Sequence, residues 1–105
     1  MLVPYRGSCQ CGAIRYELTD EPLCVYACHC TECQKQTASS FALGLWANRT
    51  DFHVTQGKTT PITRNADSGR EIIGNFCGKC GSRIYHENLA NPTRINLKPG
   101  TLDDT

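Results

Sequence analysis

The sequence predicts a mainly β domain of short antiparallel strands stapled by metal-binding cysteines, and three observations predict it. Short apolar–polar alternations are separated by turn residues at regular intervals, as in a sandwich or open barrel. Eight cysteines among 105 residues fall into three clusters: Cys9 and Cys11; Cys24, Cys28, Cys30 and Cys33; Cys77 and Cys80. Leu, Ile, Val and Phe are sparse against Gly, Thr, Asn and Ser. A chain of this size makes one domain and buries roughly two-thirds of its unfolded surface. With so few large aliphatic residues, it calls for a staple beyond the core. No repeat, low-complexity tract or linker divides residues 1–105.

The elements follow in order. Ala13 to Leu18 alternates apolar and polar, as a half-buried strand does. Thr19 to Pro22 is a turn, and Leu23 to Cys28 is a second strand. Thr31 to Thr37 is the helix candidate, capped by Thr31, so the plan has one short helix after the C-x-C-x-x-C motif. Phe41 to Ala47 is an apolar strand with Trp46 in the core, and Phe52 to Thr55 is another, closed by Gln56-Gly57. Thr59 to Arg64 is a strand before the turn residues Asn65 to Gly69. Arg70 to Phe76 and Ser82 to His86 form two strands joined through Cys77 to Gly81. Arg94 to Leu97 is the last strand, ended by Pro99-Gly100.

Charge and context narrow the function classes. The N-terminus has no signal-peptide pattern, because Pro4 and Arg6 break any apolar run. No stretch approaches the ~18 apolar residues of a membrane span. The expected setting is cytoplasmic and reducing, where cysteines serve metals or catalysis more often than disulfides. The net charge is +1, without the clearly basic surface that nucleic acid requires. The sequon Asn48-Arg49-Thr50 carries little weight without an export signal.

Cys77-Gly78-Lys79-Cys80-Gly81 is a C-x-x-C turn that puts two sulfurs on one side of a tight loop. That spacing suits tetrahedral Zn²⁺, with Zn–S near ~2.3 Å. No βαβ pattern surrounds it, which counts against a redox pair. A structural site needs four ligands, and Cys9-Gln10-Cys11-Gly12 is the natural second pair. Closing 66 residues between the pairs would make metal binding a direct contribution to folding. Spacing alone leaves a second option open, in which Cys9 and Cys11 join the middle cluster.

Cys28, Cys30 and Cys33 put three thiols within six residues. In an extended chain His29 points away from Cys28 and Cys30, so it is expected to pack or to bond a backbone carbonyl. Cys24 lies about 13 Å from Cys28 at the strand rise, too far to share an ion, and is expected to be a small buried hydrophobe. The eight cysteines then divide into a closed site of four, an open site of three, and one spare. Catalytic zinc keeps an exchangeable position and structural zinc does not. A soft, three-thiolate site suits an incoming thiolate better than water. Counting the thiolates and both ions turns the net charge negative, which further disfavours nucleic acid.

Gly7-Ser8-Cys9-Gln10-Cys11-Gly12-Ala13-Ile14-Arg15-Tyr16, Cys28-His29-Cys30-x-x-Cys33, Phe76-Cys77-Gly78-Lys79-Cys80-Gly81 and Gly100-Thr101-Leu102-Asp103-Asp104 resemble the glutathione-dependent formaldehyde-activating enzyme family, which includes centromere protein V. The resemblance spans nearly the whole chain. It implies a zinc-bearing β-tent with two Zn²⁺ per chain. It also implies a structural site at Cys9, Cys11, Cys77 and Cys80, and a catalytic site at Cys28, Cys30 and Cys33. The activity it implies is condensation of glutathione with formaldehyde, classed with carbon–sulfur lyases. Cys24 has no counterpart in the motif. Ala38 stands where members often carry glycine, and members usually continue beyond the last motif, so a single domain lacking the family's tail is expected.

The expected reaction places the thiol of a glutathione-like substrate at the open zinc and adds its sulfur to a small aldehyde, reversibly. Glu32, Lys35, His29, Tyr85 and His86 are the candidates for the proton donor. Glu32 and Lys35 are equally placed to pair on the helix surface. Tyr85 and His86 point to opposite strand faces, so at most one meets the site. Lys35, Lys79 and Arg83 are candidates for the carboxylates of glutathione. Trp46 or Phe41 in the pocket wall is a second option for those rings. The competing reading is a non-catalytic zinc module that binds a protein partner, since the β-tent is shared with Rab-binding exchange chaperones and fold alone does not give function.

Overall fold

Period-two alternation gives each strand two faces, and packing sorts those faces into a core and a cavity wall. The computed structural model describes residues 3–65 and 69–104. The small sheet holds β1 (Tyr5–Ser8), β2 (Arg15–Leu18) and β5 (Phe52–Gln56), in the order β1-β2-β5. The large sheet holds β3 (Cys24–Cys28), β4 (Ala42–Asn48), β6 (Thr60–Asn65), β7 (Glu71–Phe76), β8 (Arg83–Asn88) and β9 (Arg94–Leu97). Its order is β3-β4-β9-β8-β7-β6, and every pairing in both sheets is antiparallel. The helix α1 spans Thr31–Thr37.

The core lies between the sheets. Leu45, Ala47, Ile84, Ile95 and Leu97 of the large sheet pack with Tyr5, Tyr16 and Leu18 of the small one. Phe52 bridges them, with ring centres 5.4 Å from Tyr16 and 4.7 Å from Tyr85. Cys9 and Cys77 belong to the same cluster, so the core runs directly into one cysteine group. The Gly-Thr-Leu-Asp-Asp segment is structural. Leu102 bridges to Gly7, Asp103 donates its N–H to the Arg6 carbonyl, and the Thr101 hydroxyl lies 2.6 Å from that of Tyr16.

On the opposite face of the large sheet, one register row runs Cys24, Trp46, Asn96, His86, Gly74, Ile62 from edge to edge. This row corrects two expectations. Trp46 is half-buried on this outer face and stacks on Tyr26 rather than joining the core. Cys24 is exposed, because β3 is an edge strand and the row is uncovered there. The strand β1 went unpredicted: Gly7 and Ser8 are weak strand formers, held in place by β2 and Leu102. The turn expected at 65–69 lies largely outside the described residues.

The helix matches its predicted span but not its cap. Cys30, not Thr31, is the N-cap, and its sulfur accepts the Cys33 N–H at 3.3 Å. The helix therefore begins inside the cysteine motif and takes Cys33 into its first turn. Ala38 ends it in the left-handed region, φ 51° and ψ 41°. That conformation costs an L-residue roughly 1 kcal/mol relative to glycine. Ala38→Gly is expected to raise stability by up to ~1 kcal/mol, read by denaturant unfolding.

Candidate metal centre and cavity

Two turns bring the first four sulfurs together. In the β1–β2 loop, the Cys9 N–H donates to the Ile14 carbonyl at 3.1 Å and Gly12 turns the chain at φ 80°. In the β7–β8 loop, Cys77 N–H donates to the Ser82 carbonyl, Gly81 N–H donates to the Cys77 carbonyl, and Gly81 has φ 81°. The sulfurs of Cys9, Cys11, Cys77 and Cys80 all lie within 4.8 Å of one another, with Cys9–Cys11 at 3.6 Å and Cys11–Cys77 at 3.8 Å. Tetrahedral Zn–S bonds of ~2.3 Å give S···S edges of about 3.8 Å. The four residues therefore fit a metal ion, and the option that Cys9 and Cys11 join the middle cluster is removed.

Local hydrogen bonds prepare this cluster for a cation. The Ser82 hydroxyl accepts the Gln10 N–H at 3.0 Å, which leaves its proton for the Cys80 sulfur at 3.2 Å. That bond, helped by the Ser82 and Cys11 backbone, lowers Cys80 to about 5. Burial opposes ionisation of Cys9, but the Ile14 N–H at 3.3 Å and the neighbouring thiols outweigh it and lower its pKa. The Ala13 N–H favours the Cys11 thiolate, yet crowding by Cys9 prevails and raises it to about 11. Neighbouring sulfurs at this spacing oppose the ionisation of Cys11, and a cation between them would remove that cost. Sequence reasoning did not single out Ser82, because its role depends on two loops meeting. Ser82→Ala is expected to weaken metal retention about 10- to 100-fold, measured by chelator competition.

Cys28, Cys30 and Cys33 form the second group, again with all sulfurs within 4.8 Å. Cys28 ends β3, Cys30 caps the helix and Cys33 sits in its first turn. The Cys33 N–H lowers the Cys30 pKa, as do the other two thiols. Burial, then Cys28 and Cys30, push Cys33 up to about 12. Among the described residues no fourth Cys, His, Asp or Glu joins this group. Cys24 stays apart from it, as does His29, whose ring is exposed and packs 5.4 Å from Phe41.

The three cysteines line a cavity of about 410 Å³ on the outer face of the large sheet. Tyr26 and Trp46 form one wall, His86 and Asn96 the floor, and Glu32, Arg64 and Lys98 the charged rim. Gly44 makes room for the Tyr26 ring, which a Cβ there would meet at 2.6 Å. The Asn96 amide donates to the Tyr26 hydroxyl. Of the proton-donor candidates, Glu32 and His86 face the cavity. Tyr85 packs on Phe52 in the core, and Lys35 lies in a shallow groove beside Ala38. Glu32 pairs with Arg64 at 2.9 Å, not with Lys35. Arg83 stacks over Phe76, 5.6 Å from its ring centre, and Lys79 is exposed on the C-x-x-C turn. Lys98 was missed by sequence reasoning; it follows the last strand and no motif marks it.

The fold and the two sulfur groups define a class: small antiparallel β domains with cysteine clusters able to hold metal ions. The family model of the glutathione-dependent formaldehyde-activating enzyme matches residues 4–105, and the chain belongs to that family. Among solved structures, it is similar to the crystal structure of a Rhodobacter sphaeroides protein, with a TM-score of 0.75 and 24% identity. That match covers 95% of this chain and 89% of the other, and it speaks for the fold. No helix among the described residues is long and apolar enough to cross a membrane.

Proposed function

We propose that this chain is a zinc-dependent carbon–sulfur lyase that joins a glutathione-like thiol to a small aldehyde such as formaldehyde, forming or cleaving an S-hydroxymethyl adduct. The carrying observation is the contrast between the two sulfur groups. Four sulfurs close on one another at the edge of the core, whereas three line an open cavity. In this reading Cys9, Cys11, Cys77 and Cys80 hold a structural Zn²⁺, and Cys28, Cys30 and Cys33 hold a catalytic one. The second ion, when bound, supplies a soft Lewis acid that favours the thiolate form of an incoming sulfur.

The chain's own residues do the rest. In the addition, the sulfur–carbon bond forms, the carbonyl π pair moves to oxygen, and the thiol proton ends on that oxygen. Lys98 is half-buried on the cavity lining, and its ammonium lies within electrostatic reach of Cys28 and Cys33. There it stabilises the nascent alkoxide and can hand it a proton. Burial, together with Lys98, Arg83 and Arg64, lowers His86 to about 3, so it meets substrate as a neutral ring. Asn96 donates its amide to the Tyr26 hydroxyl, which leaves its Oδ1 to accept the hydroxyl proton of the adduct. Glu32 is held on Arg64 and serves the rim rather than as a free acid. A protein-binding module is disfavoured, because a group closed by a fourth protein ligand would have suited it better.

The first test is zinc per chain, before and after a mild chelator, together with adduct exchange between glutathione and formaldehyde followed by NMR. Two ions falling to one, with accelerated exchange lost in parallel, is the expected result. Two ions that both resist removal, or exchange no faster than in buffer, would overturn the reading.

A further inference from the structure

Polar atoms on and beside the cavity floor find no partner among the described residues. Among the described residues, His86 Nε2, Asn96 Oδ1, Arg64 Nε and Arg83 Nη1 are buried without a hydrogen-bond partner. His86 and Asn96 are each only 8% exposed. Buried groups of this kind normally have a partner, and leaving one unmade costs roughly 1–3 kcal/mol.

Their placement follows from the register. Gly74 lies opposite His86, and Phe76 lies opposite Arg83 after a bulge in the β7–β8 pairing. The bulge turns Arg83 onto the cavity side of β7, where its guanidinium crosses Gly74. A Cβ at Gly74 would meet Arg83 Nη1 at 2.5 Å and lie 3.5 Å from His86 Nε2. Two nitrogens, one cationic, therefore hang over the same point. Arg64 comes across from β6, and Lys98 lies within electrostatic reach of both arginines. The carboxylates nearby are committed: Glu32 to Arg64, Glu87 to Arg49 and Asn75. Three positive side chains, Arg64 and Lys98 on the cavity lining and Arg83 beside it, thus act on a neutral imidazole. That is the environment of a bound anion.

Lys98, Arg64 and His86 line the same cavity as Cys28, Cys30 and Cys33, so the recess opens onto the sulfur group. A tripeptide thiol carries its carboxylates many bonds from its sulfur. In a 2-oxo acid the carboxylate is one bond from the carbonyl carbon. We propose that the preferred electrophile is a small aldehyde bearing a carboxylate, of the glyoxylate type, whose carboxylate is held by Arg64, Lys98 and His86 with Arg83 beneath them. This rests on the thiol–aldehyde reading above. The chemistry balances as before: the sulfur adds to the carbonyl carbon, the thiol proton ends on the new hydroxyl, and the carboxylate is unchanged.

Trp46 is the single tryptophan and lines the cavity one strand from Asn96, so its fluorescence reports occupancy without any reaction. The zinc-loaded protein is titrated with glycolate, an unreactive carboxylate, and with uncharged ethylene glycol. Saturable quenching by glycolate alone is expected. Lys98→Met and Arg83→Met are each expected to weaken it at least 10-fold, while Arg94→Gln on the exposed start of β9 leaves it unchanged. Addition of glutathione is expected to run at least 10-fold faster with glyoxylate than with formaldehyde, relative to the uncatalysed rates. Equal quenching by both probes, or glycolate binding indifferent to Lys98→Met, would overturn the recess. Loss of binding on esterifying glutathione, with no competition by glycolate, would reassign the recess to the thiol and overturn the proposal. Glycolate binding without acceleration of any addition would overturn both the electrophile and the enzyme reading. Acceleration with formaldehyde equal to that with glyoxylate would sink the electrophile alone.

Discussion

Cys77→Ser is expected to leave the chain largely unfolded at room temperature, whereas Cys30→Ser is expected to leave it folded and inactive. The two cysteines differ in where their sulfurs sit. Cys77 is 2% exposed and belongs to the core cluster, where its group ties the β1–β2 loop to the β7–β8 turn. Cys30 is exposed and caps a seven-residue helix that buries none of its residues. A structural zinc site supplies an apparent ~10–16 kcal/mol. Whole domains are stable by only about 5–15 kcal/mol. Under the proposed structural site, losing one of its four sulfurs removes most of that margin. Far-UV circular dichroism, denaturant unfolding and zinc per chain check the pair of variants. Equal folding of the two would show that the four-sulfur group is not what holds the sheets together.

Acid is expected to destabilise the wild-type fold through His86, beyond any effect on the thiolates. Burial comes first among the causes, followed by the positive charges of Lys98, Arg83 and Arg64, and together they lower His86 from 6.5 to about 3. The two carboxylates that line the cavity are both paired, Glu32 with Arg64 and Glu87 with Arg49. Above pH 6.5 the ring is neutral in both states, and it contributes no pH dependence. Between pH 6.5 and about 3 the unfolded chain binds a proton that the folded chain does not. Stability therefore falls as pH falls through that window and levels off below it. The full drop is bounded at about 5 kcal/mol, from 1.36 kcal/mol per pKa unit. His86→Gln cannot titrate, so its stability-versus-pH curve is expected to be flatter across the same window. Chemical denaturation of both proteins from pH 7 to pH 4 reads the difference. Parallel curves would show that His86 is protonated in the fold.

Much of this protein was legible in its residues because the chemistry is local. Ala13 to Leu18 and Arg94 to Leu97 alternate with period two, so their strands could be placed from side-chain type alone. Thr31 to Thr37 could be assigned from its length and polarity, though its cap could not, because a cysteine rarely takes that place. Spacing set Cys24 apart and paired Cys77 with Cys80, but the structure was needed to join Cys9 and Cys11 to that pair. Two sulfurs at i and i+3 of a turn converge, whereas two at i and i+4 of a strand lie about 13 Å apart.

What the sequence determined alone, then, was a mainly β chain with two sulfur-rich groups, since those depend on neighbours within a few residues. Only the tertiary structure decided what surrounds them. Trp46, Asn96, His86 and Gly74 are far apart in sequence but fall on one register row, and the choice of outer face makes the first three line the cavity. Cys24 ends exposed because β3 has no strand beyond it. Lys98 lines the cavity because it follows β9, and a bulge in the β7–β8 pairing brings Arg83 over Gly74 beside it. Pairing order and bulges are set by long-range packing, which residue type and spacing do not encode one segment at a time.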